Sequence, residues 1–110
     1  METKTNKHEQ SLVSYYIPSA NTLKRLSSFY AVFSDPSRVK ILSCLSIAEL
    51  CVSDLARFCA MEQSTVSHQL QILRAANLVS TRREGKVIFY SISSNYVAKT
   101  LEIGADYLQH

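Results

Sequence analysis

Between Gln63 and Ile92 the run QSTVSHQLQILRAANLVSTRREGKVIFYSI sets hydrogen-bonding side chains without fixed charge beside a cluster of cations. Val66, Leu70 and Leu73 recur at helical spacing and close one face of a helix, which leaves Gln63, Ser64, Ser67, His68 and Gln71 facing outward. Thr65, at the helix start, joins that set. Hydroxyl, amide and imidazole groups suit base edges and phosphate oxygens in a major groove, where specificity comes from donor and acceptor placement. Short hydroxyl side chains at a helix N-terminus also let a phosphate approach free backbone amides and the positive dipole end. Ser64 could equally act only as a helix cap, and His68 could lie on a solvated face. Arg82, Arg83 and Lys86 then surround Gly85, where exposed cations would contact phosphates or a minor groove, or would keep a sheet edge from pairing with another chain.

The elements that must carry these groups can be read along the chain. Met1 to about Gln10 is polar and reads as a mobile tail, with Leu12 to Ile17 as a short turn before Pro18, so residues 1–18 are expected to be a flexible N-terminal tail. Residues 19–110 are expected to form one domain. Ser19 caps a helix whose apolar stripe is Leu23, Leu26, Tyr30 and Phe33. Asp35 and Pro36 start a second helix, with Val39, Ile41, Leu42 and Leu45 as its buried face. Arg38 and Lys40 lie at its start, where they would add phosphate contacts or, for Arg38, a structural ion pair.

In ELCVSDLARFCA, Leu50, Leu55 and Phe58 are expected to pack inward, with Ser53 capping a short helix that ends at Cys59. A turn at Met61–Gln63 leads into the helix from Ser64 to about Ala76, the spacing of a helix-turn-helix. Val79 to Arg83 and Val87 to Ile92 read as a hairpin with Glu84 and Gly85 at its tip. A last helix over Asn95 to Gln109 carries the stripe Val97, Leu101, Gly104 and Leu108. The fold class is therefore mainly α with a small β-hairpin: a winged helix-turn-helix domain with flanking N- and C-terminal dimerisation helices.

Charge supports this placement by its location more than by its amount. The net charge is +3 with a pI near 8.8, only mildly basic. Between Pro36 and Lys86, seven Lys or Arg face four acids, so this segment carries the whole excess. No apolar run approaches the ~18 residues of a membrane span, METKTNKHEQ lacks the apolar core of a signal peptide, and the odd cysteine count argues against a disulfide framework. A cytoplasmic protein is expected. With only Gly85 and Gly104 there is no phosphate-cradling glycine loop, and no catalytic triad or carboxylate pair is apparent, so an enzyme is not expected.

FSDPSRVKIL, ELCVSDLA, STVSHQLQILRAANLV and RREGKVIFYSI, in this order, closely resemble the small metal- and thiol-sensing repressors of the ArsR/SmtB family, over roughly Thr22 to His110. The resemblance implies a homodimer that binds a palindromic double-stranded DNA operator and releases it when a metal or a thiol-reactive or redox signal is sensed. It also implies that Gln63, Ser64, Ser67 and His68 touch DNA. A winged-helix protein-interaction module, or a DNA-binding protein that has lost its inducer site, are the alternatives.

In many relatives the ELCVSDLA segment carries two cysteines one residue apart, joined by a third from the tail to bind a soft metal. Here Cys51 is followed by Ser53 and the tail offers only His8, a poor set for a thiophilic ion. The family's other site, on the last helix, falls on Ser94, Tyr96, Tyr107 and His110, of which only His110 would bind a transition metal such as zinc well. Asp106 and Glu102 share its helix face, while Tyr96 and Tyr107 suit a dimer interface. For thiol sensing the candidates are Cys51, Cys59 and Cys44. Cys51 is best placed, at a helix start, and Cys44 reads as an inert core residue. Cys51 and Cys59 would stand roughly 12 Å apart along one helix, too far for a direct disulfide.

Overall fold

The computed structural model describes residues 2–109. Among them the elements run α1 (Lys7–Tyr16), α2 (Ala20–Val32), α3 (Pro36–Leu45), β1 (Leu50–Cys51), α4 (Val52–Cys59), α5 (Gln63–Ala75), β2 (Val79–Glu84), β3 (Val87–Ile92) and α6 (Asn95–Leu108). α3, α4 and α5 pack around Ile41, Leu42, Leu45, Leu55, Cys59, Val66, Leu70 and Leu73, and Leu78, Val79 and Val97 close the core from the hairpin and α6.

Local chemistry sets most boundaries as expected. Ser19 caps α2 by accepting from the Thr22 N–H at 3.2 Å, and Asp35 caps α3 by accepting from the Arg38 N–H at 3.1 Å, with Pro36 in the first helical position. α5 ends where Asn77 takes a left-handed φ of 62°, which lets the Leu78 N–H reach the Leu73 carbonyl at 3.0 Å and turns the chain straight into β2. At the hairpin tip Glu84 pairs with Val87 across a two-residue turn, and Gly85, first of the two, has φ +62°. A positive φ there matches the turn to the right-handed twist of its strands.

Four expectations are corrected. The segment expected to be a polar tail and short turn forms α1, started by a reciprocal capping box: Asn6 Oδ1 accepts from the Glu9 N–H at 2.8 Å and Glu9 Oε1 accepts from the Asn6 N–H at 3.0 Å. No residue of α1 is buried. α4 starts one residue before Ser53, with Cys51 at the cap position and no side-chain cap, because the chain enters it directly from a strand. That strand, β1, makes the hairpin a three-stranded sheet in the order β1-β3-β2, with Leu50 opposite Tyr90 and Cys51 opposite Phe89. Phe58 is 59% exposed instead of packed inward, since Leu55 and Cys59 already point the inner face of α4 at the core.

The stripes of α2 and α6 are also largely uncovered. Leu23, Leu26 and Tyr30 on α2, and Tyr96, Ile103, Tyr107 and Leu108 on α6, are exposed. Val97 and Leu101 pack against the core, whereas Gly104 and Leu108 of the same expected stripe face outward.

Candidate nucleic-acid interface and sulfur centres

α5 divides cleanly into two faces. Val66, Leu70 and Leu73 are at most 1% exposed, while Gln63, Ser64, Thr65, Ser67, His68 and Gln71 are all exposed. Glu62 holds the cap position without a side-chain hydrogen bond, so Ser64 is not the cap and the first-turn amides stay open to an incoming acceptor. Gln63 and Lys86, from the helix start and the hairpin tip, line one hollow with Cys51, Ser53 and Tyr90. The two halves of the sequence feature therefore converge in space.

Gln69 carries a role that no sequence signal announces. It sits half-buried at the back of α5, where its amide donates to Ser37 Oγ at 2.8 Å and Asp35 Oδ2 at 3.3 Å, and its Oε1 accepts from Arg38 Nη1 at 3.4 Å. Arg38 also donates through Nε to the Val32 carbonyl at 2.9 Å. The expected ion pair of Arg38 does not form among the described residues; its guanidinium is instead held by the Val32 carbonyl and the Gln69 amide oxygen, which tie the end of α2 and the start of α3 to α5. The Ser37 hydroxyl, then the Arg38 amide, hold the Asp35 carboxyl below its ordinary pKa. As one of three glutamines on α5, Gln69 gives no hint of this pairing in sequence, because its partners lie more than thirty residues away.

On the hairpin the three cations differ. Arg82 donates to Glu49 Oε1 from Nε at 2.9 Å and Nη2 at 2.6 Å, donates to Glu84 Oε2 from Nη1 at 2.9 Å, and stacks 4.8 Å from the centre of the Phe89 ring opposite it. These hydrogen bonds hold the Glu49 carboxyl below its ordinary pKa and push the Arg82 guanidinium up. Arg83 and Lys86 make no ion pair among the described residues and are exposed. Arg83 and Lys86 thus present the uncommitted charge, and Arg82 must leave two carboxylates to reach a phosphate.

The sulfur groups fall differently from the expectation. Cys51 is half-buried, with Sγ 3.2 Å from Ser53 Oγ and 3.5 Å from Asp54 Oδ2. One thiol beside a hydroxyl and a carboxylate is a poor soft-metal set, and among the described residues no three His, Cys, Asp or Glu side chains gather as potential ligands. The close pair is Cys44 and Cys59, whose Sγ atoms are 3.7 Å apart between the ends of α3 and α4. Burial, then the bond with Cys44, pushes the Cys59 thiol up to about 11. In sequence each stands only as a cysteine at a helix end, outside the inner-face positions expected for those helices, and helix packing alone shows that they meet.

On α6, Ser94 is the helix cap, accepting from the Tyr96 N–H at 3.0 Å, and Tyr96 and Tyr107 are each 77% exposed. Asp106 and Glu102 are exposed, and His110 lies outside the described residues.

Comparison with known proteins accords with this geometry. Residues 35–81, from the cap of α3 into β2, match the bacterial regulatory proteins of the arsR family. The chain is 40% identical over 93 residues to a transcriptional repressor SmtB homolog of a Synechocystis species, covering 84% of this chain and 70% of that protein. It is 30% identical over 107 residues to the cadmium resistance transcriptional regulatory protein CadC of Listeria innocua, covering 96% of this chain and 85% of that one. Among solved structures it is similar to NolR from Sinorhizobium fredii, with a TM-score of 0.75 and 35% identity over 83% of this chain and 94% of the other. A winged helix-turn-helix with this motif order and these relatives places the chain in the ArsR family of bacterial regulatory proteins.

Proposed function

We propose that the protein is a homodimeric, sequence-specific DNA-binding transcriptional repressor, cytoplasmic and without catalytic activity. The observation that carries this reading is the outer face of α5: six groove-compatible side chains over a sealed apolar face, at an uncapped helix start, beside the uncommitted Arg83 and Lys86. Gln63, Ser64, Thr65, Ser67, His68 and Gln71 read base edges and nearby phosphates, and Arg83 and Lys86 hold the backbone. Arg82 shapes the hairpin through Glu49 and Glu84 and joins the phosphate contacts only on release from them.

Dimerisation follows from the apolar side chains left exposed on α2 and α6, which a second copy would cover about a two-fold axis. A two-fold dimer presents two α5 helices to successive major grooves, about 34 Å apart, and so requires a palindromic operator. No helix among the described residues is long and apolar enough to cross a membrane.

The inducer belongs to the same reading. Relatives are named for cadmium resistance and as an SmtB homolog, and a metal such as zinc would draw on Asp106 and His110 across the dimer. At Cys51 the donor set does not fit a soft metal, so no release step is assigned there.

Fluorescence anisotropy with random-sequence duplex at low salt tests the reading directly. The expected result is binding that weakens as salt rises, as counterion release requires. Absence of binding at low salt would leave only a protein-interaction module.

A further inference from the structure

We propose that Cys44 and Cys59 form a peroxide-oxidised dithiol that couples the redox state of α3 and α4 to the DNA-reading helix; the consequence for DNA rests on the function proposed above. Their sulfurs are already in contact at 3.7 Å, and a disulfide needs ~2.05 Å, so closure must draw the two sulfurs closer by the difference. The two thiols are unequal. Cys59 is wholly buried, whereas Cys44 is only partly buried and is the more accessible residue of the two. Burial keeps Cys59 protonated, against the weaker opposing effect of the Lys40 ammonium.

This inequality orders the chemistry. The Cys44 thiolate attacks one oxygen of hydrogen peroxide, the O–O bond breaks, and the departing hydroxide leaves as water with a proton, which gives a Cys44 sulfenic acid. Cys59 Sγ then attacks Cys44 Sγ, the S–O bond breaks, and the hydroxyl leaves as a second water with the Cys59 proton. Two thiols lose two electrons and one peroxide becomes two waters. A thiol reductant reverses the step.

The position of Cys59 supplies the coupling. It is the last residue of α4, followed at once by Ala60 with φ 55° and ψ 48°, and α5 begins at Gln63. Drawing Cys59 toward α3 therefore moves the turn that sets α5 against α4. Oxidation is expected to lower specific operator affinity at least tenfold.

The test is stoichiometric hydrogen peroxide on the reduced full-length protein, with peptide mapping by mass spectrometry and operator binding on the same samples. A Cys44–Cys59 cross-link that forms, lowers operator affinity and reverses with dithiothreitol is the expected result. Cys51→Ser should behave as wild type, and Cys59→Ala should accumulate a dimedone-trapped sulfenic acid at Cys44. A cross-link without change in operator affinity overturns the coupling. Failure of the pair to cross-link while Cys51 is oxidised overturns the assignment. If the reduced protein binds no duplex at all, the DNA-binding function fails, and the cross-link result alone then decides the dithiol chemistry.

Discussion

The outer face of α5 and the cysteine-bearing ends of α3 and α4 lie on either side of one helix-turn-helix, yet they are legible in sequence to very different degrees. On α5 the functional surface is what remains once the apolar positions are assigned: Val66, Leu70 and Leu73 fix the buried face, and the exposed set follows by helical geometry. Around the cysteines nothing comparable operates. Cys59 is buried and Cys44 only partly so, and their meeting depends on how two helices pack. A surface defined by one helix can be read from periodicity, whereas a site defined by two requires their packing.

The largest effect expected from this contrast is on recognition. Ser67→Ala with His68→Ala should weaken specific operator binding by roughly 1–3 kcal/mol for each base edge no longer read, while Cys51→Ser leaves it unchanged. Equal operator affinity in the double variant and wild type, measured by competition with random duplex, would remove the assignment of α5 as the reading helix.

The next effect separates the hairpin cations. Arg83→Ala should weaken binding to all sequences and lower the log-log salt slope by roughly 0.9 for each phosphate it no longer neutralises. Arg82→Ala should change the slope less, because Glu49 and Glu84 already hold its guanidinium. A larger slope change for Arg82 than for Arg83 would make Arg82 the principal phosphate ligand and Arg83 the bystander.

Smaller effects test the support behind α5. Gln69→Ala removes an amide bonded to Ser37 and Asp35 and should destabilise the fold by about 1 kcal/mol in a denaturant titration. Because the folded Asp35 pKa lies below its ordinary value, the stability it contributes is present above that ordinary value and is lost as pH falls through the lowered one. The melting temperature should therefore drop on acidification below about pH 4, and Asp35→Asn should flatten that dependence. The smallest change is a gain: Ala60→Gly relieves a left-handed alanine and should stabilise by about 0.5–1 kcal/mol.

Much of the fold is readable for identifiable reasons. Ser19 and Asp35-Pro36 are local signals whose partners lie within a few residues, and each does what its type suggests; the hairpin turn is where Gly85 marks it, but it falls on Gly85-Lys86, with Glu84 paired in β2. Asn6 and Glu9 form a signal of the same kind, but polar neighbours without an apolar stripe mask it and give α1 the composition of a tail. β1 is invisible to periodicity because two residues cannot display a period. Gln69, Arg38 and the Arg82–Glu49 pair are beyond reach, since each joins segments about thirty residues apart or more. Within the candidate site, sequence thus locates the groups that face outward and leaves open which of them are already engaged within the fold.

Selection of binding sites from a randomised duplex pool, with purified reduced protein at moderate salt, tests the central claim most directly. The predicted result is enrichment of a palindrome whose half-sites lie one helical turn apart, with enrichment lost in the Ser67→Ala, His68→Ala double variant. Recovery of no palindrome, or of the same palindrome by the double variant, would contradict it.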